Sequence, residues 1–470
     1  MFESPDELAR LIDEFYPYRN RFETIRRLPT LGRPAQDVLD ELTWMAEAED
    51  EQGHRGQVSG SLYHGGAEHY AVLHQAFAAF AHANVLQRDM YPSATKFEAE
   101  IVAMTTGMLH GDAAPDVCGV LTGGGSESLI TQVLTYRDHA RQERGVTDPE
   151  LIVPETAHCA LDKAGHYFGV RIVRAPLSDD LSVDVGWVAD HVSRNTIALF
   201  GSAGSYPHGV IDPIAELGEI AQRHGIGLHV DGCLGGFILP WAARLGYDVP
   251  DFDFVVPGVT SISADTHKYG YGLKGASVLL YRTRELRRHQ YFATGDWQGG
   301  LYISPGMAGS RSGGLIASTW AAMVTLGEDG YLAAAREILA AADRIRTGVE
   351  ATDGLRLLGR SPFLVAFAST DDDLDIFCVN DELIARGWRL NGLQRPAGLR
   401  FCVALPNAAP GVTDRFVADL AASVSAARGR VPGSARSGAL YGLAGSGAAG
   451  AGQLQDLLAT ALDAFYEPAP

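Results

Sequence analysis

The chain has only four lysines among its 470 residues, Lys96, Lys163, Lys268 and Lys274. Two of them share one segment, Ser261-Ile-Ser-Ala-Asp-Thr-His-Lys-Tyr-Gly-Tyr-Gly-Leu-Lys-Gly275. Arginine supplies the remaining basic charge, but a guanidinium stays protonated in proteins, whereas a primary amine can lose its proton and condense with an aldehyde. A lysine kept where arginine is the rule is therefore a candidate for covalent chemistry. Lys268, beside His267 in a Gly- and Tyr-rich stretch, is that candidate.

An amine that carries an aldehyde cofactor with an electron-accepting ring, pyridoxal phosphate, needs three further groups nearby: a carboxylate for the ring nitrogen, a cradle for the phosphate and a ring to stack on. Asp231 closes the run Gly227-Leu-His-Val-Asp231, which puts it at the carboxyl end of a strand, where open α/β sheets bind ligands. Thr122-Gly-Gly-Gly-Ser-Glu-Ser128 is a glycine-rich turn between a strand and a helix, whose backbone can approach an anion closely and offer it free N–H groups. His158, in Glu155-Thr-Ala-His-Cys-Ala-Leu-Asp-Lys163, follows another strand and supplies the ring. Each has a commoner explanation alone: a plain strand-to-helix turn, a helix cap, a satisfied polar residue or a surface charge. Their joint occurrence at strand ends of one α/β domain points to a cofactor site.

The elements that must position them are legible in the middle of the chain, where short apolar runs alternate with amphipathic ones in the pattern of βαβ units and a mainly parallel sheet. The predicted strands are Val117–Leu121, Leu151–Val153, Arg171–Ala175, Thr196–Ser202, Gly227–Val230, Phe252–Val256 and Ala276–Tyr281. A helix over Lys96–Leu109, capped by Ser93 or Thr95, leads into the first of them. After Trp320 the pattern changes to an Ala-rich helix, Tyr331–Glu350, followed by alternating segments at Phe363–Ala368 and Arg400–Val403. The expected organisation is an N-terminal arm (1–94), a large α/β domain (95–330) and a small α+β domain (331–470). The arm carries the loop Gly60-Ser-Leu-Tyr-His-Gly-Gly66, and Gly429–Gly452 is predicted as a flexible linker around Tyr441.

Composition narrows the partners. A formal net charge of −19 argues against nucleic acid or an anionic membrane, both of which need a basic footprint. Five scattered cysteines show neither metal-ligand spacing nor a secreted disulfide framework. The first thirty residues are charged and lack an apolar core of signal-peptide length, and Ser312–Gly327 is too short and polar to span a bilayer. The expectation is a cytoplasmic enzyme without a metal.

The long motifs also carry a family resemblance. Ser263-Ala-Asp-Thr-His-Lys-Tyr-Gly-Tyr271 with Lys274-Gly275, and His229-Val-Asp-Gly-Cys-Leu-Gly-Gly-Phe237, resemble the sphingosine-1-phosphate lyases, fold-type I pyridoxal phosphate enzymes related to the group II decarboxylases. Gly201-Ser-Ala-Gly-Ser-Tyr-Pro-His-Gly-Val-Ile-Asp-Pro213, Asp296-Trp-Gln-Gly-Gly-Leu-Tyr302, Ala308-Gly-Ser-Arg-Ser-Gly-Gly314 and Gly387-Trp-Arg-Leu-Asn-Gly-Leu-Gln394 extend it from about Gly56 to Tyr441.

The resemblance implies a retro-aldol cleavage of the C2–C3 bond of a phosphorylated sphingoid base, giving a long-chain aldehyde and phosphoethanolamine. It implies that Lys268 bonds the cofactor, Asp231 holds its pyridine nitrogen, His158 stacks on its ring, and Gly124, Gly125, Ser126 and His267 hold its phosphate. It places Tyr63, Asn84, Gln87, Tyr206, Lys274 and Tyr441 around the substrate, with Tyr63, Tyr206 and Lys274 taking part in catalysis. Ser310 and the Gly299-Gly300 loop are implied to reach a neighbour's site across a homodimer. One position departs from the family pattern: Asn-Pro-Leu-His is replaced by Asn84-Val-Leu-Gln87, so a head-group histidine becomes a neutral amide that cannot carry charge. The alternative is an amino acid decarboxylase of the related group, which calls for an arginine on the substrate carboxylate that sequence alone does not assign.

Overall fold

A computed structural model describes residues 16, 18, 20–438 and 448–468. Its centre is a seven-stranded sheet of β1 (Cys118–Thr122), β2 (Glu150–Pro154), β3 (Arg171–Ala175), β4 (Thr196–Ser202), β5 (Gly227–Asp231), β6 (Ser261–Ala264) and β7 (Ser277–Tyr281). The spatial order is β1-β7-β6-β5-β4-β2-β3. β7 runs antiparallel to both neighbours, and every other pairing is parallel.

Burial on both faces accounts for the near-continuous apolar runs of β2, β4 and β7, as expected for a sheet covered by helices on each side. Successive side chains serve opposite layers: Ile152 and Leu199 join one core, while Leu151, Val153, Ala198 and Phe200 join the other. The register aligns the strand ends. Asp231 pairs with Ser202 of β4 on one side and Ser263 of β6 on the other, so the carboxyl edges of β4, β5 and β6 form one shelf.

Four readings from sequence need correction. Phe252–Val256 is not a strand: Phe252, Phe254 and Val256 are buried at the expected alternation, but the Asp253 carboxylate accepts the Val255 N–H at 3.0 Å and the Asp253 carbonyl accepts the Val256 N–H, turning the chain back. The strand that carries the lysine loop is β6, Ser261-Ile-Ser-Ala264. The lead-in helix begins at Pro92 and runs to Met108, so Ser93 and Thr95 lie inside it and cap nothing. The Ala-rich helix spans Gly313–Glu350, with a break at Gly327 (φ 57°, ψ −176°), and starts well before Tyr331. The presumed linker runs into a helix, Ala448–Phe465.

The second sheet has four antiparallel strands in the order β10 (Leu355–Leu357), β11 (Leu364–Ser369), β13 (Ala397–Cys402), β12 (Asn391–Gln394). Helices Ile376–Ala385 and Val412–Ala427 pack on it around buried Trp388, Phe401 and Phe416. β8 (Phe292–Thr294) and β9 (Tyr302–Ser304) form a separate two-stranded antiparallel ribbon. Among the described residues no helix is long and apolar enough to cross a membrane.

Candidate active site

Lys268 sits in the loop that leaves β6. The loop folds back at once: Tyr271 N–H donates to the Lys268 carbonyl at 3.0 Å and Gly272 N–H to Thr266 at 2.8 Å. This turn requires glycine at 270, because a Cβ there would lie 2.5 Å from the Thr266 carbonyl oxygen. The Lys268 ammonium is held 2.9 Å from Asp265 Oδ2. Asp265 is 2% exposed, and its other oxygen, Oδ1, has no hydrogen-bond partner. Burial works against the Lys268 ammonium, but the Asp265 carboxylate, backed by Cys233 and Asp231, outweighs it and holds the pKa above the ordinary lysine value.

The other groups of the same shelf converge on this pair. His267 Nε2 lies 3.5 Å from Asp265 Oδ2, while Nδ1 accepts the Ala276 N–H at 3.3 Å. Burial and the two neighbouring lysines depress the His267 pKa, with Asp265 opposing them. Asp231 Oδ1 accepts the Cys233 N–H at 2.9 Å, leaving Oδ2 unengaged by any described hydrogen bond. Lys274 Nζ donates to the His267 carbonyl at 3.2 Å and lies 4.8 Å from the Tyr63 ring centroid. Burial, and then the charge of Lys268, push the Lys274 pKa down to about 8.

Tyr63 arrives from the glycine loop of the N-terminal arm. It is buried edge-on against Tyr269 at 5.0 Å, and its hydroxyl lies 3.6 Å from Cys402 Sγ. On the opposite flank, the rings of His158 and Tyr206 meet edge-to-face at 5.8 Å and 83°, and His158 Nδ1 accepts the Ala160 N–H at 3.1 Å. The Tyr206 ring is covered by the Arg400 guanidinium, whose carbon lies 3.5 Å from the ring centroid, and its carbonyl accepts a hydrogen bond from the same group.

The glycine turn completes the shelf. Gly124 (φ 142°) starts the twenty-residue helix Gly125–Arg144 with no side-chain cap, so its first-turn N–H groups are free to meet an anion. A Cβ at Gly125 would stand 2.7 Å from Asp265 Oδ2 and 2.9 Å from Cys233 Sγ, and one at Gly124 would touch the His267 ring at 3.4 Å. An uncapped helix start, a half-buried amine, a carboxylate with a free oxygen and a ring flank thus share one sheet edge. These residues fit pyridoxal phosphate.

Asn84, Ser310 and Gln87 make no described hydrogen bond to the Lys268 cluster. Asn84 Nδ2 donates to Ser310 Oγ at 3.0 Å, and Asn84 Oδ1 accepts from the Leu86 and Arg311 N–H groups, tying these residues to each other rather than to the Lys268 cluster. Gln87 is exposed, and only its backbone is engaged. Tyr441 lies outside the described residues. Sequence reasoning passed over two groups that matter. Asp265 stands three residues before Lys268, and an acid at that spacing on a tight loop was the available signal. Arg400 comes from the small sheet, and no local pattern pairs it with Tyr206.

A family model described as the pyridoxal-dependent decarboxylase conserved domain matches residues 58–358. The sphingosine-1-phosphate lyase of Arabidopsis thaliana is 44% identical over 421 residues, covering 88% of this chain and 76% of the relative. Sphingosine-1-phosphate lyase 1 of Mus musculus is 42% identical over 402 residues, covering 85% and 70%. The structure of a Burkholderia pseudomallei sphingosine-1-phosphate lyase superposes with a TM-score of 0.90 at 46% identity, covering 96% of this chain and 99% of that one. A Lactobacillus brevis glutamate decarboxylase shares the fold, with a TM-score of 0.74 at 19% identity over 87% of this chain and 97% of that one. With the cofactor site on its sheet edge and this likeness over most of its length, the chain belongs to the sphingosine-1-phosphate lyase family of pyridoxal phosphate-dependent enzymes.

Proposed function

We propose that this enzyme cleaves the C2–C3 bond of sphingosine 1-phosphate, or a close phosphorylated sphingoid base, to a long-chain aldehyde and phosphoethanolamine. The observation that carries the proposal is the pair of lysines in one loop, one salt-bridged to buried Asp265, the other with its pKa near 8 beside Tyr63. The first suits a cofactor amine; the second suits a phosphate-bearing substrate.

Lys268 would hold the cofactor, Asp231 its ring nitrogen, His158 its ring face, and Gly124, Gly125, Ser126 and His267 its phosphate. Pyridoxal phosphate, when bound, supplies the carbonyl that captures the substrate amine and a ring that stores the electron pair released at C2. Tyr206 relays the proton of the C3 hydroxyl, C3 becomes the aldehyde carbon as its bond to C2 breaks, and Lys268 returns a proton to C2. Tyr63 and Lys274 bind the head-group phosphate.

We also propose a homodimer with shared sites. Support comes from the β8–β9 ribbon, where Phe292, Leu301 and Ile303 are 61%, 86% and 69% exposed, a patch of apolar surface that calls for a partner. In that arrangement Asn84, Gln87 and Ser310 serve the neighbouring subunit's site. The five unpaired cysteines support a reducing, cytoplasmic setting. Product analysis tests the reaction: equal amounts of aldehyde and phosphoethanolamine from sphingosine 1-phosphate support it, whereas carbon dioxide release from an amino acid, with no aldehyde from the lipid, would replace it with decarboxylation.

A further inference from the structure

Arg400 is 5% exposed on β13, and among the described residues no carboxylate lies within ion-pair distance of it. Its Nε is buried without a hydrogen-bond partner. What it does contact is the Tyr206 carbonyl and the Tyr206 ring face. A buried cation without a counter-charge is costly unless an anion completes it. The neighbourhood repeats the pattern, since Ser205 Oγ and both ring nitrogens of His208, flanking Tyr206, are also buried and unpartnered. Burial, followed by the charge of Arg400, lowers the His208 pKa to about 4, so His208 adds a hydrogen-bonding group but no second charge.

The direction of Arg400 follows from strand geometry. Side chains two residues apart share a face, and Cys402, on the face of Arg400, contacts both Tyr63 and Tyr269 at 3.6 and 3.3 Å. Arg400 therefore faces the side of the sheet that meets Tyr63 and Tyr206, and Lys274 lies 4.8 Å from the Tyr63 ring centroid.

We propose that Arg400 is a substrate-binding residue that recognises the oxyanion of the head group, with a phosphomonoester as its ligand. Two cations, Arg400 on Tyr206 and Lys274 on Tyr63, suit a dianion better than a carboxylate, and the planar guanidinium can meet two phosphate oxygens at once. The inference rests on the lyase reading of the Lys268 site, and its test is separable from it.

The holoenzyme is titrated with phosphoethanolamine, ethanolamine and L-serine, following the cofactor absorbance. Arg400→Gln is expected to weaken phosphoethanolamine roughly tenfold or more, as for loss of a charge-assisted hydrogen bond, and to leave ethanolamine unchanged. Arg400→Lys, which keeps charge and stem but loses the fork, weakens phosphoethanolamine by a smaller factor, about threefold. Equal weakening of ethanolamine would make Arg400 a structural strap for the Tyr206 loop and overturn the proposal. A loss confined to L-serine would assign it to a carboxylate and overturn it likewise. If Arg400→Gln does not load cofactor, unchanged phosphoethanolamine affinity in Arg400→Lys overturns the proposal instead. Arg400-dependent phosphoethanolamine binding in a wild-type enzyme that does not cleave sphingosine 1-phosphate would sink the lyase reading and leave this one standing.

Discussion

Replacing Asp265 with Asn removes the only carboxylate within ion-pair distance of the Lys268 amine among the described residues. At 2.9 Å and an effective dielectric of about 20 the attraction amounts to ~6 kcal/mol. The Lys268 side chain is 24% exposed, and solvent screening reduces that figure to roughly 3 kcal/mol, about two pKa units. With the carboxylate gone, burial is opposed only by the remaining influence of Cys233 and Asp231, and the pKa should fall by about two units from its raised value. The assay uses the small number of lysines. Apoenzyme labelled at lysine Cε gives four resonances, and the one lost in Lys268→Ala identifies the site. In wild type that signal should titrate above the ordinary lysine value; in Asp265→Asn its midpoint should move down by about two units, and cofactor capture at pH 7 should accelerate. An unchanged Lys268 titration would refute the claim that Asp265 sets the charge state of the amine.

Gly125→Ala drives a Cβ to 2.7 Å from Asp265 Oδ2 and 2.9 Å from Cys233 Sγ, an overpacking of about 1–3 kcal/mol; equilibrium dialysis should show correspondingly weaker cofactor retention. Lys274, with its pKa near 8, loses its charge as pH rises through that value, so KM for the phosphorylated substrate should climb above pH 8 by up to roughly tenfold per unit, and Lys274→Met should flatten the profile. Glu98 is buried between Arg311 at 2.7 and 3.0 Å and Arg88 at 2.9 Å; burial raises its pKa, but the two arginines outweigh burial and lower it overall. Glu98→Gln should therefore cost about 3–5 kcal/mol in denaturant unfolding at neutral pH. The Glu98 contribution is present above the unfolded glutamate pKa of about 4.3 and is lost as pH falls through the lower folded value, so wild type and variant should converge in acid.

The cofactor shelf was largely legible because it uses short motifs at strand ends. Gly124, His158, Asp231 and Lys268 each announce themselves locally, and the alternating pattern places them on one edge. The strand that delivers Lys268 was not legible, for a physical reason. β6 is Ser-Ile-Ser-Ala, and its hydroxyls are satisfied within the sheet: Ser261 Oγ meets Tyr136 at 2.6 Å and His229 Nδ1 at 2.7 Å, and Ser263 Oγ meets His229 Nε2 at 3.2 Å. A buried polar strand carries no hydrophobic period. Phe252–Val256 carries that period without being a strand, because a turn can bury alternate residues as well. Arg400 and Cys402 reach the site from a sheet more than 120 residues after Lys268 in the chain, a contact that only the packing of the small sheet against the large one creates. Asn84 and Gln87 were placed around the substrate, and Ser310 at a neighbour's site, by resemblance; within one subunit Asn84 is hydrogen-bonded to Ser310, and no described hydrogen bond ties the three to the lysine.

The most direct test of the central claim is a single turnover, with enzyme in excess over sphingosine 1-phosphate, comparing wild type with Lys268→Ala. The account predicts one aldehyde released per substrate by wild type, a Lys268-dependent cofactor absorbance, and no aldehyde from the variant. A bound, Lys268-dependent cofactor in wild type that releases no aldehyde would contradict it.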